Sequence, residues 1–220
     1  LGSIWGSFSN VCIYRLPKND GIALSRSSCP GCKKVIKWYD NIPLISFIVL
    51  RAKCRNCEFR INTQYFVVEL LAAISFSLIY IIYGLSITTL LLLVLTIFFV
   101  IIFFIDLKHF IIPNELTFPL MFIGFIKSFI PNLNQNLFPN FINSLIGGLV
   151  GYFIVWLIIF LYKKIRNKEG MGLGDAKLLS AMGFLLGFQS IFIILFIAAI
   201  LGLIFSVPNL ISGKSSLKTA

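Results

Sequence analysis

Residues 85–106 read LSITTLLLLVLTIFFVIIFFID, an apolar run interrupted only by Ser and Thr and free of charge until Asp106. A spanning helix needs about 20 mostly apolar residues, and Leu85–Ile105 fills that length. Working outward, the same criterion selects Phe66–Tyr83, Leu116–Ile130, Phe141–Tyr162 and Ile191–Ile211. Ala176–Phe188 is shorter, and fits as a span if the Gly-rich turn before it dips into the membrane. Leu1–Tyr14 reads as the remnant of one more span, since the chain starts at Leu1 rather than Met. The expected fold is an all-α polytopic membrane protein of about seven spanning helices, the first of them truncated. Glycines four apart, Gly147/Gly151 and Gly183/Gly187, read as helix-packing positions.

Composition agrees. The chain is 58% hydrophobic and only 12% charged, with a mean hydropathy of +0.95. A soluble domain carries about 25% charged residues, so this chain cannot cover a water-facing surface. The net charge of +11 would suggest nucleic acid in a soluble protein, but no basic stripe alternates with exposed aromatics. The cations sit instead in particular loops. Arg15–Arg60 holds ten Lys and Arg, Gly84 none, the Lys108 link one and Lys127–Asn140 one. Lys163–Lys168 holds four, Gly187–Ser190 none, and the tail after Ser212 two. The positive-inside rule then puts the first loop, the Lys108 link, the Lys163 loop and the tail in the cytoplasm. The domain expectation is a truncated span at 1–14, a cytoplasmic cysteine domain at 15–65, a membrane domain at 66–211 and a cytoplasmic tail at 212–220.

The first loop carries four of the five cysteines. Cys29-Pro-Gly-Cys32 and Cys54-Arg-Asn-Cys57 are two C-x-x-C pairs 21 residues apart, each followed four positions on by Ile36 or Ile61, which hints at an internal repeat. Two such knuckles supply four thiolates for one structural Zn²⁺. Cytoplasmic thiols stay reduced, which disfavours paired disulfides. Cys12, in an apolar run, reads as a small buried residue.

Of the eight acids, Asp20, Asp40, Glu58 and Glu169 fall in cytoplasmic loops. Glu69, Asp106, Glu115 and Asp175 remain, and an ionisable group at membrane depth is a functional candidate by default. Asp106 ends a span that exits to the cytoplasm. Asp175 begins the span after the Lys163 loop, inside Gly170-Met-Gly172-Leu-Gly174-Asp175-Ala-Lys177. Both therefore reach the same depth from the same side. Taken singly, Asp175 could cap its helix and Asp106 could pair with Lys108. Taken together, two close carboxylates share a proton and titrate as a unit. One can then act as base on a water while the other polarises a carbonyl, and the implied chemistry is peptide hydrolysis. Gly172 and Gly174, with Lys177 beside them, are where a substrate backbone would come close. His109, the only histidine, has no His or Cys partner nearby to form a metal site. Glu69 and Glu115 take no assigned role.

These motifs closely resemble the type IV prepilin leader peptidases, intramembrane aspartyl enzymes of the GxGD kind. Gly6-Ser-Phe8-Ser-Asn10-Val-Cys-Ile-Tyr14-Arg-Leu-Pro17 is similar to the family's opening. Trp38-Tyr-Asp-Asn-Ile-Pro-Leu44 and Leu50-Arg-Ala-Lys-Cys54 resemble its cysteine domain. Ile105-Asp106 with Ile112-Pro113, and Gly172-Leu-Gly-Asp175-Ala-Lys-Leu178, resemble its two catalytic segments. The resemblance implies cleavage of the basic leader of prepilins or pseudopilins at the cytoplasmic face of the inner membrane, with Asp106 and Asp175 as the catalytic pair. Many members also methylate the new amino terminus with S-adenosylmethionine. Three departures stand out: Asn114 where an acid is common, Ala52 where a glycine is usual, and an end at Ala220 without the family's last span. Ala52 is the position expected to weaken methylation. Two rival classes use parts of the same pattern: an ion-coupled transporter with two intramembrane aspartates, and a zinc-containing scaffold built on the cysteine loop alone.

Overall fold

The computed structural model describes residues 1–18, 27–130, 133, 137–166 and 172–211. Asp20, Glu169, Gly170, Met171 and the tail 212–220, all named in the expectations above, lie outside the described residues. Among the described residues the helices are α1 (Gly2–Arg15), α2 (Ile45–Val49), α3 (Thr63–Tyr83), α4 (Ile87–His109), α5 (Asn114–Lys127), α6 (Phe141–Arg166), α7 (Leu173–Leu186) and α8 (Phe188–Ile211). Two isolated bridges are the only β pairing among them, and no strand forms. The all-α expectation holds. Of these helices α3, α4 and α6 are long and apolar enough to cross a membrane, and α8 is apolar over Phe188–Ile204.

Local chemistry sets the helix ends. Asn62 caps α3, its Oδ1 accepting the Gln64 N–H at 2.9 Å, and Gly84 ends it at φ +59°. Ser86 Oγ then accepts the Thr89 N–H at 3.1 Å and opens α4. Such caps satisfy backbone donors that no intrahelical partner reaches. Within a span that matters more than in water, because lipid offers no substitute.

The chain divides into two compact units, Leu1–Leu116 and Thr117–Ala220. In the first, α1 packs against α3 and both meet α4. The approach is close: a Cβ on Gly6 would lie 2.6 Å from the Glu69 Cα. In the second unit α6 and α7 make the tightest seam. Their backbones touch where Gly183 faces the Gly147 carbonyl, so neither position admits a side chain. Ser180 Oγ donates to the Gly148 carbonyl across the same seam at 2.8 Å. Lipid gives helices no hydrophobic drive to associate, so backbone proximity and polar bonds of this kind carry the packing. The packing role expected for Gly147/Gly151 and Gly183/Gly187 is what the structure shows, Gly187 lying against Gly147 while also ending α7 at φ +82°. A small apolar core of Val155, Ala176, Leu179 and Ile191 completes the unit.

Substituting Gly183→Ala places a methyl on the Gly147 carbonyl. The expected loss is about 1–3 kcal/mol, the usual range for overpacking, read as a lower thermal midpoint in detergent. Gly202→Ala, whose methyl meets nothing within 4 Å, is the control and leaves the midpoint unchanged or higher.

Candidate functional site

The four cysteines come together. Their sulfurs all lie within 4.8 Å of one another, with Cys29 Sγ and Cys57 Sγ 3.7 Å apart. Tetrahedral zinc at about 2.3 Å per thiolate requires sulfurs about 3.8 Å apart, so the donor set fits the ion. The two knuckles repeat one backbone plan at an offset of 25 residues. Cys29 N–H donates to Lys34 O, and Cys54 N–H to Phe59 O. Lys33 N–H donates to Cys29 O, and Glu58 N–H to Cys54 O. Ile36 N–H donates to Ser27 O, and Ile61 N–H to Ala52 O. Bridges Ser28–Val35 and Lys53–Arg60 obey the same offset. The residue after each second cysteine, Lys33 (φ +56°) or Glu58 (φ +55°), is left-handed. The spacing of Ile36 and Ile61 had pointed to this repeat; the left-handed positions carried no glycine to mark them.

Charge within the cluster is uneven. The N–H groups of Asn56 and Cys57 hold the Cys54 thiol down at about 7. For Cys57 the Phe59 N–H favours the thiolate, but desolvation and the sulfurs of Cys32, Cys29 and Cys54 outweigh it, pushing the thiol up to about 12. Four sulfurs this close cannot all ionise unaided, and a dication is the natural complement.

The aspartates stand at helix ends. Asp106 lies in the last turn of α4, its side chain exposed, and its carbonyl accepts the Phe110 N–H where that residue turns left-handed at φ +53°. Lys108 does not pair with it among the described residues. Asp175 is the third residue of α7, whose N-cap is Gly172. A carboxylate in a first turn is favoured by the helix dipole. A Cβ on Gly172 would stand 3.8 Å from the Gly174 N and 3.9 Å from Asp175 Oδ2, in ordinary van der Waals contact. Gly174 lies one residue before Asp175 in the same turn. Lys177, two residues after Asp175, holds its ammonium 5.2 Å from the Phe118 ring centroid. Asp106 belongs to the first unit and Asp175 to the second.

Ala52 adopts φ +57°, directly after Arg51 at φ +50°, so the position that resembled a glycine site has the backbone of one. Glu69, unassigned from sequence, has a partner: its Oε2 accepts the Leu44 N–H at 2.8 Å, and Ser7 also reaches the carboxylate. A cleft of about 1330 Å³ in the first unit has Asn10, Tyr14, Asn62 and Glu69 on its walls; Ala52 is not among its lining residues. Glu115 sits in the first turn of α5, matched to its helix dipole, and His109 in the last turn of α4. By loop charge Lys127 reads as a loop cation. It is instead 2% exposed at the end of α5, donating to Ser144 Oγ at 3.0 Å and to the Pro139 carbonyl at 3.3 Å.

Known proteins are similar to this chain in sequence. Residues 1–83 match the Bacterial Peptidase A24 N-terminal domain, and residues 93–207 match the Type IV leader peptidase family. A Prepilin leader peptidase/N-methyltransferase of Vibrio cholerae serotype O1 is 38% identical over 91% of this chain and 81% of its own length. One from Neisseria gonorrhoeae is 32% identical over 93% and 78%. The Type 4 prepilin-like proteins leader peptide-processing enzyme of Escherichia coli O78:H11 is 31% identical over 94% and 82%. No solved structure matches. With both parts of the chain matched in order and identities of this size over most of its length, the protein belongs to the type IV leader peptidase family and is a membrane-embedded peptidase.

Proposed function

We propose that this peptidase is an aspartyl enzyme that removes the basic leader of type IV prepilins or pseudopilins at the cytoplasmic face of the inner membrane. The observation that carries the reading is that Asp106 and Asp175 both fall inside the matched region 93–207, each in the terminal turn of its helix. The loop charges support a cytoplasmic exit for both ends. In the reaction one carboxylate takes a proton from water, whose oxygen attacks the scissile carbonyl carbon. The other, protonated, donates to the carbonyl oxygen. Collapse of the tetrahedral species returns a proton to the departing amine, leaving a free carboxylate on the leader and a free amine on the pilin. Gly172 and Gly174 admit the substrate backbone beside Asp175, with Lys177 flanking it.

The same reading takes α1, α3–α8 as about seven spans, residues 15–65 as a cytoplasmic zinc domain and 66–211 as the peptidase domain. Zinc held by Cys29, Cys32, Cys54 and Cys57 would close the two knuckles into one fold. The relatives' names extend the activity to N-methylation, for which S-adenosylmethionine would supply the methyl group. The cleft of the first unit exceeds the roughly 300–1,000 Å³ of small-molecule sites. Ala52 is absent from its walls, so its influence on methylation would run through the backbone.

Asp106→Asn and Asp175→Asn each abolish leader cleavage of a prepilin read by mass, without loss of membrane insertion. Cleavage within about tenfold of wild type, a loss of only about 1.4 kcal/mol, removes that residue from the pair.

Elemental analysis of the purified protein gives one zinc per chain, lost in Cys29→Ser or Cys54→Ser. In those variants the remaining thiols alkylate readily and the loop becomes protease-sensitive, while cleavage falls less than in the aspartate variants. Zinc-free protein with every thiol open to alkylation refutes the site.

The left-handed φ of Ala52 costs about 1–2 kcal/mol relative to glycine. Ala52→Gly therefore raises the methylated fraction of the mature pilin amino terminus and leaves cleavage unchanged. Complete methylation by the natural Ala52 form ends the idea.

A further inference from the structure

The stretch from Trp38 to Val49 lies outside every candidate span, yet it presents large apolar side chains outward. Trp38 is 80% exposed, Ile45 59%, Ile48 64% and Val49 68%. The segment is held as one piece. Ser46 Oγ accepts the Ile42 N–H at 3.0 Å and donates to the Tyr39 carbonyl at 3.1 Å, tying the turn at Trp38–Asn41 to α2. A solvated loop would not hold such a surface out to water.

Two contacts fix how deep this piece sits. Phe47 stacks on Phe66, ring centroids 5.1 Å apart, in the first turn of α3. Leu44 N–H reaches Glu69 Oε2 at 2.8 Å. Glu69 is six residues beyond Thr63, about 9 Å along the axis at 1.5 Å per residue. The helix concerned is one of the three long and apolar enough to cross a membrane. Residues beside its first two turns therefore lie at the level where headgroups meet acyl chains. The flanks match that environment: Lys37 precedes Trp38 and Arg51 follows α2, both exposed. A tryptophan with basic residues at its edge is the usual furnishing of a membrane interface.

We propose that Trp38–Val49 is an interfacial anchor, its face of Trp38, Ile45, Ile48 and Val49 lying in the leaflet that α3 enters at Thr63, with Lys37 and Arg51 against anionic phosphates. The occupant is lipid rather than protein because the contacts that set the segment's depth are to a spanning helix. The inference rests on α3 crossing the membrane and not on the peptidase assignment.

The test uses Trp38 as its own reporter. Trp5→Phe and Trp156→Phe leave it the sole tryptophan, and full-length protein is reconstituted in vesicles of anionic and zwitterionic phospholipid. Lipids brominated near the top of the acyl chain should quench most of the Trp38 emission, and aqueous iodide little of it. Ile48→Asp with Val49→Asp should reverse that order, and Lys37→Glu with Arg51→Glu should weaken quenching selectively in anionic vesicles. Strong iodide quenching of the parent would overturn the anchor as a water-facing surface. Resistance to both quenchers would overturn it in favour of a protein-covered face. Leader cleavage assayed on the same samples reports separately on the peptidase reading.

Discussion

Charge is expensive in hydrocarbon and backbone polar groups find no solvent there; the positions of the acids follow from that constraint. Asp106 and Asp175 occupy the terminal turns of α4 and α7, where a helix end approaches water. Glu115 likewise opens α5. Glu69 is the exception, 8% exposed and inside α3, and it is satisfied by a backbone N–H from outside the helix. Burying a carboxylate without such a partner would cost several kcal/mol. The same scarcity explains the glycine seams, since helices that cannot gain from burying apolar surface gain from close contact.

The cysteine loop solves a different problem. With little apolar surface of its own to bury, it relies on repetition: one knuckle plan used twice, 25 residues apart, converging on one set of sulfurs. Left-handed Lys33 and Glu58 turn each knuckle back so that the following residue can accept the N–H of the first cysteine. Non-glycine residues in that conformation carry strain, which a closed four-thiolate site would offset.

Much of this was legible in the residues. Apolar runs located the helices because lipid exposure needs apolarity on all faces, not a periodic stripe. The edges moved by a few residues where polar groups decided them. The run expected to end at Ile105 continues through His109, because Asp106, Leu107 and Lys108 still complete backbone hydrogen bonds until Phe110 turns left-handed. The helix expected from Ala176 starts at Leu173, since Gly172 rather than apolarity sets its beginning. The partners of Glu69 and Lys127 were not legible. Leu44 is 25 residues from Glu69, and Ser144 is 17 from Lys127. A lysine at a helix end reads as a loop cation unless the next helix is seen to cover it.

A continuous polar path joins the two halves of the first unit. Glu69 of α3 holds Leu44; Ser46, two residues on, holds Tyr39 and Ile42. Asp40 in that turn takes Arg55 through both carboxylate oxygens at 2.6–3.0 Å, and Arg55 lies between Cys54 and Cys57. An isolated surface ion pair contributes little, but this pair closes a chain whose other members each join a side chain to a backbone group. It also leans over Tyr39, the Arg55 Cζ being 5.6 Å from the ring centroid. The cysteine knuckles are thus not tethered to the helices by chain connectivity alone. Leu44 adopts φ +63°, a conformation that a non-glycine residue rarely takes, and its N–H is held there by Glu69. The geometry of α2 therefore depends on a carboxylate buried within α3, and the orientation of the second knuckle depends on α2.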